Sequence, residues 1–209
     1  MRGKVGDALV LFDGSGCEFD ARVLRCDRHE VQLEIVERRE VDRELSVSIT
    51  LAVALPKGDR QQWLVEKLVE LGVAELIPVR TERSVAEPRE KALERLTRGV
   101  IEASKQCGRN RLMRIAAPRD WSELVAAPAE GTLRWLAHPG GAVPSAVALT
   151  GGQKFLAAVG PEGGLTDAEV ALALDHGWQT VSLGRRILRV ETAAAALAAW
   201  LGISSASTR

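Results

Sequence analysis

Phe155-Leu156-Ala157-Ala158-Val159 runs directly into Gly160-Pro161-Glu162-Gly163-Gly164, and Leu165-Thr166-Asp167-Ala168-Glu169-Val170 follows at once. The first five residues read as a buried strand: they are apolar throughout and a glycine- and proline-bearing turn bounds them. Thr166 and Glu169 form the capping box that opens a helix, Leu165 and Val170 are spaced for a hydrophobic staple, and Gly177 ends the helix. Strand, tight turn and helix in immediate succession build a parallel sheet, because a parallel neighbour is reached only through a crossover.

The alternation extends from there towards both termini. Residues 47–55 form a continuous apolar strand broken by Pro56-Lys57-Gly58. Leu64, Leu68 and Leu71 at i, i+4 and i+7 then predict a helix over residues 62–71, stopped by Gly72. Residues 73–79 predict a strand, 90–106 a helix, 112–116 and 132–137 short strands, 180–183 the last strand and 191–201 the final helix. The expected class over residues 46–209 is therefore α/β with a largely parallel sheet.

Residues 1–45 have a different texture. The runs 8–12, 17–24 and 30–36 are rich in Val, Leu and Phe and are separated by Asp13-Gly14-Ser15-Gly16 and by residues 26–29, which predicts a small antiparallel β unit. Val31, Leu33 and Ile35 alternate with Glu30, Gln32 and Glu34 to give one dry and one wet face. Such a unit closes a minimal core, and the chain opens on Met1-Arg2-Gly3 just before its first run, so further strands ahead of residue 1 are expected.

Composition narrows the class. The 209 residues suit one large domain or two small ones, and 46% hydrophobic with 27% charged residues excludes disordered and fibrous chains. The longest nearly unbroken apolar run, residues 193–203, is far short of the roughly 20 residues that span a bilayer, and no secretory leader opens the chain. A cytoplasmic protein without membrane contact is expected. Cys17, Cys26 and Cys107 are odd in number and lack C-x-x-C spacing, while His29, His138 and His176 are scattered, so neither a disulfide framework nor a metal site is expected. Lys plus Arg and Asp plus Glu are 28 each, which excludes a generally basic coat. Residues 80–119 nonetheless carry eleven basic against five acidic side chains, and residues 104–119 carry no acid, so this segment reads either as a face for an anionic partner or as a solvated helix face.

Ligands of open α/β sheets bind beyond the carboxyl ends of the strands. Three turns that leave those ends are unusual: Trp135-Leu136-Ala137-His138-Pro139-Gly140-Gly141, Gly160 with Pro161, Glu162, Gly163 and Gly164, and Leu183-Gly184-Arg185-Arg186-Ile187-Leu188-Arg189-Val190-Glu191-Thr192. Their glycines allow close backbone approach or positive φ. Known nucleotide and hydrolytic patterns do not fit: G-x-x-x-x-G-K-[ST], G-x-G-x-x-G, G-x-S-x-G and H-E-x-x-H are all absent.

The second and third of these turns resemble the RsmE family, the 16S ribosomal RNA uracil-N3 methyltransferases of the SPOUT superfamily. Gln106-Cys107-Gly108-Arg109-Asn110-Arg111, Glu66-Lys67-Leu68-Val69-Glu70-Leu71-Gly72-Val73 and Leu11-Phe12-Asp13-Gly14 are similar to further blocks of that family, in the same order and across the whole chain. The resemblance implies a small PUA-like β domain for RNA at residues 1–45, incomplete at its N-terminus. It further implies a SPOUT methyltransferase domain at residues 46–209 with a C-terminal deep trefoil knot, a homodimer, and action on the 30S subunit. Family members begin with about 20 more residues than this chain. A non-catalytic RNA-binding relative of the SPOUT family is the alternative, and cofactor binding separates the two.

Carried onto this sequence, the resemblance places S-adenosyl-L-methionine among Leu136, His138, Pro139, Val159, Gly160, Pro161, Glu162, Gly163, Gly164, Leu183, Gly184, Ile187, Leu188 and Thr192. Leu183, Ile187 and Leu188 would wall the adenine, and Glu162 either accepts a ribose hydrogen bond or shapes the turn. Methyl transfer to a uracil imide needs alignment, a cation beside the uracil oxygens and a proton acceptor. Arg189 is the candidate for the cation, Glu191 for the acceptor and Arg109 for a further catalytic contact, with Arg109, Asn110 and Arg111 as RNA-binding residues. Arg189 and Glu191 equally suit a structural pair, and Cys107 is read as packed.

Overall fold

The computed structural model describes residues 4–86, 90–143 and 152–206. The opening Met1-Arg2-Gly3, together with Glu87 and Arg89 of the basic segment, lies outside the described residues. The chain divides into two compact units, residues 1–44 with 104–112 and residues 45–103 with 113–209.

The first unit contains the antiparallel sheet β1 (Ala8–Phe12), β2 (Cys17–Cys26) and β3 (Val31–Glu40), with β2 in the centre. That order corrects the expected dry face of β3. Central Ala21 and Val23 are buried, whereas Val31 and Ile35 on the edge strand stay half-exposed at 53% and 50%. Glu18 at the start of β2 is also buried. Its carboxylate pairs with Arg43 and Arg39 and accepts from Asn110 Nδ2 at 3.2 Å, and the Arg43 hydrogen bond holds it below the ordinary glutamate range against the opposing effect of burial. The segment 104–112, expected from sequence to belong with the second domain, joins this unit through these bonds.

The second unit carries β4 (Ser48–Val53), α1 (Arg60–Glu70), β5 (Glu75–Arg80), α2 (Glu90–Cys107, whose last turn belongs to the first unit) and β6 (Arg114–Ile115). These are followed by β7 (Arg119–Asp120), α3 (Trp121–Ala126), β8 (Thr132–Ala142), β9 (Lys154–Val159), α4 (Asp167–Asp175), β10 (Gln179–Val181) and α5 (Val190–Ala206). The sheet order is β10-β8-β9-β4-β5-β6 with β7 beside β5, and every pairing is parallel. The α/β expectation holds. Short β7 and α3 are elements that sequence periodicity did not separate.

Alternation along the strands builds one core on each face of the sheet. Ile49, Leu51 and Val53 of β4 and Phe155, Ala157 and Val159 of β9 point to one side, where Leu64 and Leu68 of α1, Leu96 and Val100 of α2 and Leu197 and Leu201 of α5 cover them. Ala52, Leu136 and Ala158 point to the other side, under Trp121, Leu124 and Val125 of α3 and Ala173 of α4. A parallel sheet requires this double cover, and each buried leucine contributes about 1.5–3 kcal/mol. α5 thus spends its apolar face within its own protomer, and Trp200 packs on Trp135 with ring centroids 5.1 Å apart.

Because the Glu18 carboxyl is held low in the folded state, its contribution is present at neutral pH and is lost as pH falls below the ordinary glutamate value. Hydrogen-exchange protection of β2 and β3 should fall through that acid range in the wild type. Glu18→Gln should start lower at neutral pH and lose most of the acid dependence; an unchanged pH profile would remove Glu18 from the account.

Candidate functional site

Since the strands run parallel, the carboxyl ends of β4, β5, β8, β9 and β10 open along one edge of the sheet. The first of the three unusual turns is not a loop after a strand. Gln179 and Thr180 pair with Trp135 and Leu136, but Val181 pairs with Ala142, so residues 137–141 form an excursion from the pairing with β10, while Ala137 still pairs with Val159 of β9. Ser182 N closes it by donating to Ala142 O at 2.8 Å. Leu136 is buried, Pro139 and Gly140 are exposed, and His138 Nδ1 accepts from Gly140 N at 3.1 Å. A Cβ at Gly141 would lie 2.6 Å from Val181 N, so a glycine is needed where the two backbones cross.

The second turn leaves Val159, whose carbonyl accepts from Ala54 N at 3.0 Å. Pro161 is buried, Gly164 N donates to Pro161 O at 2.8 Å, and Gly164 takes a φ of +71°. Gly160 and Gly163 do not take a positive φ; a Cβ at Gly160 would lie 2.9 Å from Leu165 Cγ, whereas one at Gly163 would meet only the Arg83 side chain at 3.4 Å. Arg83 caps the turn with Nη1 on Gly163 O at 3.0 Å. The capping box of α4 is present as the sequence predicts, with Thr166 N donating to Glu169 Oε2 at 2.8 Å.

In the third turn Gly184 has a φ of +111°, and Leu183 and Leu188 pack partly against the core. Ile187 does not join them: its side chain is 93% exposed and forms no apolar wall. Arg185, Arg186, Arg189 and Thr192 are exposed, and Glu191 is buried in the first turn of α5. Glu191 pairs with Arg60 Nη1 at 3.7 Å, not with Arg189, and its Oε2 is buried without a hydrogen bond. Arg60 Nη2 lies 3.0 Å from Glu162 Oε1. The second and third turns are thereby brought together through a residue that sequence reasoning passed over. Arg60 opens the helix after β4, at the same sheet edge, just beyond the Pro56-Lys57-Gly58 turn that breaks the strand.

The arginine block of the first unit departs from its expected role. Arg109 is 6% exposed and binds Glu44 in a fork, Nε to Oε1 at 2.8 Å and Nη2 to Oε2 at 2.6 Å. Asn110 is buried, with Nδ2 donating to Val41 O at 2.7 Å. Arg109 is thus committed to Glu44, Asn110 keeps a buried Oδ1 without a hydrogen bond, and Arg111 is exposed. A separate cleft of about 420 Å³ lies beside β5 and β7. Its polar groups answer one another: Arg80 Nε bonds Asp120 at 2.7 Å, holding that carboxyl below its usual range, and Trp121 Nε1 donates to Glu169 O.

With this geometry in view, residues 43–202 match the model of the RNA methyltransferase domain. The chain belongs to the RNA methyltransferase family. A ribosomal RNA small subunit methyltransferase E of Bacillus subtilis is 32% identical over 92% of this chain and 80% of its own. The Synechocystis enzyme of the same name is 35% identical over 92% of this chain, which spans 65% of that relative's length. The crystal structure of the Neisseria gonorrhoeae small subunit methyltransferase E, bound to S-adenosyl methionine, is 32% identical with a TM-score of 0.87, over 94% of this chain and 82% of its own. Among the described residues of this methyltransferase-family chain, no helix is long and apolar enough to cross a membrane and no His, Cys, Asp and Glu cluster suits a metal ion.

Gly141→Ala should force the crossing backbones apart and lower stability by about 1–3 kcal/mol in urea unfolding. Gly140→Ala meets only His138 at 3.4 Å and should cost far less. Equal effects of the two would contradict the crossing.

Proposed function

We propose that this chain is an S-adenosyl-L-methionine-dependent methyltransferase acting on N3 of a uridine in 16S ribosomal RNA of the 30S subunit. The observation that carries the reading is the buried Glu191 carboxylate, whose Oε2 forms no hydrogen bond and has the Arg60 guanidinium 3.7 Å away, beside two glycine turns at the carboxyl edge of a parallel sheet. An ion pair at 3.7 Å leaves the lone pairs of that oxygen open to a hydrogen bond, and the cofactor's hydroxyl or ammonium groups suit it. The residues present therefore fit the group. Leu136 with the excursion at His138, Pro139 and Gly140, the turn from Val159 through Gly164, and Leu183, Gly184, Leu188 and Thr192 would hold it.

When bound, S-adenosylmethionine supplies a methyl group on a sulfonium, ready for in-line displacement. The chain's own task is to place the uracil imide and take up its developing charge. Arg189, exposed in the third turn and not committed to Glu191, serves for the uracil oxygens. Glu191 is a weaker candidate for proton acceptance than the sequence suggested, because it is closed in by Arg60. Arg109 is buried and paired with Glu44, and this reading gives it no catalytic contact. Arg111 and the exposed Arg185 and Arg186 remain for phosphate contact.

The same proposal includes a trefoil knot, a PUA-like role for the first unit, a homodimer and a cytoplasmic location. The knot is supported by β9 lying between β8 and β4, with the chain returning from edge strand β10 to pack α5 beside α1. The dimer rests on the family resemblance and on the exposed Ile203 near the end of α5.

Calorimetry tests the cofactor: S-adenosylmethionine should bind at micromolar concentrations, whereas NAD and ATP should not. Gly164→Val, which cannot take the observed φ without strain, should weaken binding tenfold or more (about 1.4 kcal/mol) while unfolding stays cooperative. Absent or equal binding of all three compounds would overturn the proposal.

A further inference from the structure

We propose that Arg60 is a positioning residue that sets the cofactor edge, by locking the turn after β9 to the first turn of α5 through their two carboxylates. The inference rests on the functional reading above, but its geometry stands independently. Arg60 is the first residue of α1, and Gln61 anchors that helix start through Nε2 on Pro56 O at 2.8 Å. The guanidinium is therefore presented from the centre of the sheet, where β4 lies between β9 and β5. Its planar fork directs two nitrogens to two different elements: Nη2 to Glu162 at 3.0 Å and Nη1 to Glu191 at 3.7 Å. Glu162 sits in the glycine turn, whose backbone has few other ties among the described residues beyond Arg83 on Gly163 and the internal Gly164 bond. Glu191 is 6% exposed, and Arg60 is the cation that faces it.

Charge arithmetic gives the arrangement its direction. One guanidinium serves two carboxylates and sits nearer Glu162, so the pair retains a formal charge of −1 centred on the buried Glu191. Within that three-residue cluster the uncompensated charge favours a ligand group that brings a positive centre, as a sulfonium or α-ammonium does, beside the exposed Arg185, Arg186 and Arg189 of the same turn. Lysine cannot substitute fully, because its single ammonium is a point charge and does not span two acceptors in fixed geometry.

The test compares wild type, Arg60→Ala, Arg60→Lys and Glu162→Gln by hydrogen exchange without cofactor, by calorimetry with S-adenosylmethionine and by steady-state methylation. Arg60→Ala should speed exchange of the Gly164 amide, which donates to Pro161 O, and of the Ala193 amide, which donates to Arg189 O. It should raise Kd and KM for S-adenosylmethionine about tenfold with little change in KM for RNA, a split that general destabilisation would not produce. Arg60→Lys should recover part of the affinity. Glu162→Gln, which leaves Glu191 paired, should loosen Gly164 and spare Ala193, so the prediction stays open to refutation if Arg60→Ala does not fold. Unchanged exchange and affinity in Arg60→Ala, or in Glu162→Gln should the alanine variant fail to fold, would overturn the proposal. Failure of the wild type to bind S-adenosylmethionine would instead overturn the functional reading and leave exchange alone to judge the clamp.

Discussion

Parallel pairing of β8, β9 and β4 is the constraint on which the rest of the second unit depends. It aligns Trp135 with Ala157, and Leu51 with both Ala157 and Leu76, so each carboxyl end reaches the same edge. Reversing any one strand would send its turn to the far side. The same pairing exposes both faces of the sheet, and the chain covers them with α1, α2 and α5 on one side and α3 and α4 on the other. Covering both faces leaves the edge as the place where backbone groups and charged side chains gather without being sealed in a core.

At that edge the polar groups divide into those that answer one another and those that do not. Arg80 and Asp120 are matched, as are Thr166 and Glu169. Arg60 with Glu162 and Glu191 is not matched, since two carboxylates share one guanidinium and the buried Glu191 Oε2 has an ion pair at 3.7 Å but no hydrogen bond. In the first unit, by comparison, Glu18 gathers Arg39, Arg43 and Asn110 about itself, and Arg109 is closed by Glu44. The charge excess of residues 104–119 is thus partly spent inside the protein and partly displayed on exposed Arg111, while exposed Arg114 pairs with Glu75.

The fold was legible where local patterns and tertiary demands agree. Continuous apolar strands such as residues 155–159, the capping box at Thr166 and Glu169, and glycine stops at Gly72 and Gly177 all reappear in place. Legibility failed where partners lie far apart in sequence. Arg109 looked free because Glu44, its counterion, is 65 residues away, and Arg60 looked ordinary because Glu162 and Glu191 come from later turns. The excursion at residues 137–141 appeared as a loop because only the pairing of Ala142 with Val181 shows that the strand resumes. Ile187 shows the limit of reading an apolar residue as a pocket wall, since its 93% exposure is set by the direction of the backbone and not by its hydrophobicity.

The central claim, that this edge carries a methyl group to a ribosomal uridine, is tested most directly by incubating the protein with unmethylated 30S subunits and S-adenosylmethionine labelled in the methyl group. Nucleoside analysis of the recovered 16S RNA should show label in N3-methyluridine at a single position. Label in another base, or none under conditions where the cofactor is bound, would contradict the account.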